Sequence, residues 1–139
     1  MATAADDPRF LEGIQCFNRR AFFEAHEVWE DIWRDDRSDS RHFYQGLIQF
    51  AICLHHFRNG NTRGAKKLCI SGSDYLERYR PAYLGIDLER LLQELHACCS
   101  ELLASDEPIP QGKLDPQRIP TIVHVEAVTK PGLASESTT

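Results

Sequence analysis

From Pro8 onward, apolar residues recur at three- and four-residue intervals in blocks separated by short polar or glycine-containing breaks, and this spacing predicts a run of helices. Asp7 before Pro8 is an N-cap followed by proline at the first helical position. Phe10, Ile14 and Phe17 then follow at i, i+4 and i+7, predicting a first helix that ends near Arg19. A turn at Arg20 and Ala21 leads into FFEAHEVWEDIW, in which Ala25, Val28, Trp29, Ile32 and Trp33 form one apolar face. The polar loop 35–40, with Ser40 as its cap, delivers the chain to a third helix that Asn59, Gly60 and Asn61 bring to a close. Gly60 suits the left-handed position after a helix and Asn61 the next N-cap, so a fourth helix from about Thr62 to Tyr79 should return antiparallel after a very short turn. Within it Gly64, Ser71, Gly72 and Ser73 are small enough for another backbone to come close. Arg80 before Pro81 marks its stop. Asp87 caps a fifth helix in which Leu88, Leu91, Leu92, Leu95, Cys99 and Leu102 keep the spacing to about Ala104.

The third helix is the unusual one. Over Phe43 to Phe57, FYQGLIQFAICLHHF, apolar side chains cover nearly the whole circumference and leave one narrow polar stripe of Gln45, Gln49 and His56. A helix apolar all round is expected to be buried, and this one is shorter than the roughly 20 apolar residues that span a bilayer. Its stripe should then find partners on another segment, since an orphaned buried polar group costs about 1–3 kcal/mol.

After Pro108 the pattern changes. Five prolines forbid a continuous helix while Ile119, Ile122, Val123 and Val125 remain apolar, which predicts an extended strap laid over the helices. The expected organisation is a helical domain at 1–107, the Pro-rich strap at 108–130 and a disordered tail at 131–139. The fold class that follows is all-α: a compact bundle of about five helices in antiparallel pairs with an extended C-terminal strap. FNRRAFFEAHEV from Phe17 and FRNGNTRGAKKL from Phe57 align at an offset of 40 residues, each reading as a helix end, a tight turn and a helix with an early Ala. Tetratricopeptide-like pairs are built this way, as are antiparallel helical pairs generally.

The polar residues of the second helix add candidate chemistry. His26, Glu27 and Glu30 occupy an arc facing away from the main apolar side, with Phe23 in its middle and Trp33 at its edge. If that arc meets the stripe of the third helix, two carboxylates and an imidazole converge on Gln45, Gln49 and His56. Glu27, Glu30 and His56 are then candidate ligands of a divalent metal such as Zn, Mn or Fe(II), with His26, Gln45 and Gln49 as ligand-binding support. Glu27 and His56 together are the candidate acid/base pair, because a carboxylate beside an imidazole in a low-dielectric pocket has opposed pressures on its pKa. HEVWE approaches the zinc-protease pattern H-E-x-x-H but has Glu30 in place of the second His, which removes that assignment. A second reading of the same cluster is a polar network that only holds two helices in register.

Composition narrows the classes. With 139 residues and 42% hydrophobic content the chain can bury a core of its own. A formal net charge of −5 without any Lys/Arg run argues against a nucleic-acid partner. The start MATAADDPRF has neither the basic nor the apolar region of a secretory signal, and with no spanning segment the cytoplasm is the expected compartment and a membrane partner is not expected. Cys16, Cys53, Cys69, Cys98 and Cys99 are odd in number and lack a C-x-x-C, so they read as small buried hydrophobes rather than a disulfide framework or zinc site.

FFEAHEVWEDIW, YQGLIQ and HHFRNGN, in this order and spacing, resemble the family of small bacterial and archaeal helical proteins catalogued as domain of unknown function 309, over roughly Phe10 to Tyr79. The resemblance implies an all-helical fold and no established activity. Its motif falls on Glu24, His26, Glu27, Glu30, Trp33, Gln45, Gly46, Gln49, His56, Gly60 and Asn61. The functional expectation is binding of a small ligand or divalent metal at the Glu/Gln/His cluster, with hydrolytic chemistry as one use of it. The alternative is a tetratricopeptide-like scaffold for a protein or peptide, a second copy of the chain included, in which the cluster is structural.

Overall fold

The computed structural model describes residues 7–125. The first four helices are α1 (Pro8–Asn18), α2 (Phe22–Asp35), α3 (Arg41–Arg58) and α4 (Thr62–Glu77). The predicted caps form: Asp7 accepts from Arg9 N, Asn61 from Gly64 N and Asp87 from Arg90 N, each bond worth about 1 kcal/mol to its helix. Gly60 takes φ +85°, where no side chain is tolerated without strain. Ser40 stands at the start of α3 without capping it, because its Oγ is engaged 2.7 Å from the Tyr83 hydroxyl.

Side-chain contacts fix the helix directions. Arg9 near the start of α1 bonds Asp35 at the end of α2. Trp33 near the end of α2 meets Arg41 at the start of α3, while Phe23 at the start of α2 meets His55 near the end of α3. His42 stacks on Tyr75 of α4, 5.5 Å between centroids. Each helix therefore runs antiparallel to the next. One core joins them, centred on the fully buried Phe10, Phe17, Phe22, Trp29, Tyr44 and Phe50.

Beyond α4 the structure departs from the predicted five helices. Ala82–Tyr83 (β1) and Ile86–Asp87 (β2) form a two-residue hairpin, with Leu84 and Gly85 both at positive φ. The fifth helix is broken at Cys99 into α5 (Leu88–Cys98) and α6 (Ser100–Ala104), so the described residues contain six α-helices. The fold remains all-α around this small hairpin. No helix among the described residues is long and apolar enough to cross a membrane.

Residues 108–125 are extended apart from a 3-10 turn at Pro116–Arg118, as the prolines require. Their backbone is tied to the α1–α2 corner. Asn18 Nδ2 donates to Ile122 O at 3.0 Å and Asn18 Oδ1 accepts from Ile122 N at 2.8 Å, while Arg20 donates to the carbonyls of Ile119 and Pro120. His124 then bridges Ile86 and sets its ring edge-on to Phe10 at 5.5 Å. The end of the expected strap at 126–130 and the tail at 131–139 lie outside the described residues.

Candidate functional site

The third helix is not enclosed. Its buried residues are Phe43, Tyr44, Gly46, Leu47, Phe50, Ala51, Cys53, Leu54 and Phe57, and the opposite arc is only half-buried. On that arc Arg41, Ile48 and His55 recur every seven residues beside α2, His42, Gln49 and His56 recur beside α4, and Gln45 and Ile52 run between them. The expectation of a helix buried all round is corrected here: α1, α2 and α4 with the elements that follow cover one side, and the half-buried arc forms an open face.

The sequence-predicted residues distribute over this face unevenly. Gln49 finds its partner on α4, where the Ser71 hydroxyl donates to Gln49 Oε1. His56 lies across the α3–α4 turn, and its Cδ2 would stand 3.1 Å from a Cβ placed on Gly64. Gln45 is half-buried in the middle of the face. On α2, His26 Nδ1 donates to Phe23 O at 3.1 Å and its Nε2 is 3.7 Å from Glu30 Oε2. Glu30 is held by Arg34 at 2.8 Å, and Glu27 is exposed.

The carboxylates therefore do not join the amides and imidazoles. The buried face of α2 is Phe22, Ala25, Trp29 and Ile32, and at 100° per residue Glu27 lies almost diametrically opposite it, so packing that face inward turns Glu27 to solvent. The polar arc of α2 meets α3 through Phe23, which lies against His55, and through Trp33, which lies against Arg41. The ligand atoms of Glu27, Glu30 and His56 are not among those that converge within 4.8 Å in the described residues. In place of a buried acidic cluster the structure brings Phe23, His26, His55 and His56 together: Phe23 is 5.2 Å from His26 and 5.4 Å from His55, and His55 is 5.9 Å from His56, ring centre to ring centre.

Two further residues define the seam. The Arg41 guanidinium carbon stacks 4.0 Å over the Trp33 ring, a contact worth about 0.5–2 kcal/mol that fixes the guanidinium plane. His55 Nε2 accepts from Asn59 Nδ2 at 3.3 Å, which places the proton of the neutral ring on Nδ1. Among the described residues the buried side-chain nitrogens without a partner are Trp33 Nε1, Arg41 Nε and His55 Nδ1. All three lie on the α2–α3 seam, and all three are N–H donors.

His55 also has an electrostatic signature. Burial, then the neighbouring charges of His56, Arg58 and His26, hold its pKa below the ordinary value of 6.5. A histidine whose folded-state pKa is depressed stabilises the fold above its unfolded pKa, and that contribution is lost as pH falls through the folded value. Thermal melts across pH 7.5 to 5 should therefore show a loss of stability below about pH 6.5. In His55→Gln the loss should be smaller, and an unchanged slope would contradict this placement.

The seam lies wholly within the stretch that matches a known family, residues 10–68. The family model matched there is DUF309, a domain of unknown function. The chain is similar to the uncharacterized protein YpuF of Bacillus subtilis (strain 168), 35% identical over 86 residues that make up 60% of this chain and 49% of the relative. An uncharacterized protein of Aquifex aeolicus (strain VF5) is 28% identical over 101 residues, 69% of this chain and 28% of that one. The chain thus spans about half of the first relative's length and less of the second's. The DUF309 match ends in α4, so it takes in the seam from Phe23 to His56 but stops short of the hairpin, α5, α6 and the strap.

The sequence reading missed Arg41 and Trp33 Nε1 as site groups. Arg41 begins its helix in a polar stretch, HFY following, and nothing local marks it. The seven-residue recurrence Arg41, Ile48, His55 was the available signal.

Proposed function

We propose that the α2–α3 seam of the DUF309 domain binds an extended, acceptor-rich segment of a partner protein, with an acidic group docked on Arg41 and Trp33. The observation that carries this reading is the set of three unpartnered donors on one seam. Leaving a buried donor unmade costs about 1–3 kcal/mol, so three in one place are a concentration of unsatisfied bonding that a ligand relieves. Arg41 and His55 are fourteen positions apart on α3, which corresponds to about 21 Å of helix. That length suits some six residues of extended chain, whose carbonyls supply acceptors along the way. Between the two ends Ile48 and Ile52 are half-buried, and Phe23 is 44% exposed, giving apolar side chains somewhere to rest.

The Arg41–Trp33 stack favours a second reading in which a small carboxylate or phosphate occupies that end alone, since a preoriented guanidinium beside an indole N–H is a complete anion site. Metal-dependent hydrolysis at Glu27, Glu30 and His56 has less support, because those groups do not converge.

Titration of the full chain with acidic heptapeptides selected from a display library, and separately with inorganic phosphate and malonate, tests both readings, with tryptophan emission as the signal. For the extended partner, Arg41→Gln and His55→Gln should each weaken peptide binding about tenfold. For the small anion, phosphate or malonate binds and only Arg41→Gln matters. Recovery of no seam-dependent binder from the library, together with silence towards both anions, would overturn the proposal.

A further inference from the structure

Away from the seam, Cys53 on α3, Cys69 on α4 and Cys99 at the α5–α6 break bring their Sγ atoms within 4.8 Å of one another. Among the described residues this is the grouping of three His, Cys, Asp or Glu ligand atoms that is close enough to hold a metal ion. The three residues are free thiols with 0% exposure. Cys53 Sγ and Cys99 Sγ stand 3.8 Å apart. Thiolates bound at about 2.3 Å around one cation stand about 3.8–4.0 Å from each other, so the triangle closes on an ion with movements below about one ångström.

We propose that Cys53, Cys69 and Cys99 bind one thiophilic d10 cation, Cu(I) or Zn(II), as three thiolates, pinning the α5–α6 break to the α3–α4 pair. The reading of these cysteines as small hydrophobes accounts for their burial but not for three sulphurs from three separate elements meeting at one point. Beside the triangle, His96 Nε2 is 2.7 Å from Ser73 Oγ, and the same hydroxyl donates to Cys69 O, tying α5 to α4 next to the thiols. Binding is balanced as the cation plus three thiols giving the tris-thiolate complex plus three protons, with no change of oxidation state, so affinity should rise steeply with pH.

Because the sulphurs have no access to solvent in the folded protein, the ion enters during folding and is then retained. The full chain, denatured under reductant and refolded anaerobically with one equivalent of Zn(II) or of Cu(I), should carry close to one ion per chain after desalting. X-ray absorption should count three sulphurs at about 2.3 Å. The loaded protein should melt several degrees above the metal-free protein, as a ligand bound only to the folded state requires. Cys53→Ala and Cys99→Ala should lower retained metal at least tenfold, whereas Cys16→Ser, buried elsewhere, should retain it. If the alanine variants fail to give a helical circular dichroism spectrum, the sulphur count on the unsubstituted chain decides. Refolded helical protein that holds no metal, or holds it with fewer than three sulphurs, overturns the proposal.

Discussion

Replacing Gly13 by Ala should remove a large part of the protein's stability. A Cβ at Gly13 would lie 2.1 Å from Trp29 Nε1 and 2.5 Å from both Cδ1 and Cε2 of the same indole, where ordinary contacts are about 3.5–4.0 Å. The indole cannot give way. Trp29 is fully buried, its Nε1 donates to Phe10 O at 3.2 Å, and its ring lies 6.2 Å from that of Phe17. Two effects oppose each other. Gly to Ala within a helix gains about 1 kcal/mol of propensity. Against it, overpacking costs about 1–3 kcal/mol or more, and pushing the indole off Phe10 O strands a buried donor at about 1–3 kcal/mol. The clash wins by roughly 3 kcal/mol, a large share of the 5–15 kcal/mol typical of a domain. Urea unfolding followed by far-ultraviolet circular dichroism measures it. A variant as stable as its parent would mean that α1 and α2 do not cross at Gly13.

This crossing illustrates what periodicity conveys and what it leaves out. The apolar spacing of Phe10, Ile14 and Phe17, and of Ala25, Trp29 and Ile32, was enough to place both helices and their buried faces, because burying one face is what chiefly stabilises such a helix and the period of that face is fixed by helix geometry. Asp7, Asn61 and Asp87 were legible as caps for a similarly local reason. The 82–87 hairpin was not legible. Its turn places Leu84 at φ +46°, a position for which Asn or Gly is the usual signal, and its stability comes from distant partners, with Tyr83 4.9 Å from Phe43 and Ile86 bridged to His124.

The polar stripe of α3 was legible from its helical spacing, whereas its meeting with the α2 carboxylates was not the arrangement found. Gln45, Gln49 and His56 share the half-buried arc of α3, as their helical positions imply, and His26 approaches it through Phe23, which lies against His55. The error lay in treating α3 as enclosed because Ile48 and Ile52 are apolar. On a half-buried arc the same two side chains are equally at home, and burial all round no longer requires the Glu27 and Glu30 carboxylates as partners. Once α2 commits Trp29 and Ile32 to the core, Glu27 has no path inward. The thiol cluster escaped the sequence reading for a different reason. Cys53, Cys69 and Cys99 are sixteen and thirty residues apart, and only the packing of three elements brings them together.

Gly46→Val should be the second strongly destabilising change, and it connects the fold to the open face. A Cβ at Gly46 would stand 2.7 Å from both Cγ and Cδ2 of the fully buried Leu76 and 3.2 Å from Tyr75 Cβ. Valine adds two methyl groups beyond that atom, and neither a Leu Cγ nor a neighbouring Cβ can swing aside, so α4 must move away from α3. The cost should be about 2–3 kcal/mol after the modest helix-propensity gain. Gly72 faces the same crossing from the other side, but a Cβ there would meet Gln49 Cβ, Gly46 O and Phe50 Cδ2 at 3.3 Å, a far milder contact, so Gly72→Ala should lie within about 1 kcal/mol of the parent. The ordering of the two variants in denaturant midpoint is the test, and equal midpoints would contradict the crossing. Separating α4 from α3 also pulls Ser71 from Gln49 and Tyr75 from His42, the contacts that bound the open face on its α4 side. The Arg41–Trp33 stack and the Phe23–His55 contact belong to the α2 side, so in the fraction of Gly46→Val that remains folded the three seam donors stay in place. Peptide affinity in that fraction should therefore fall far less than stability does.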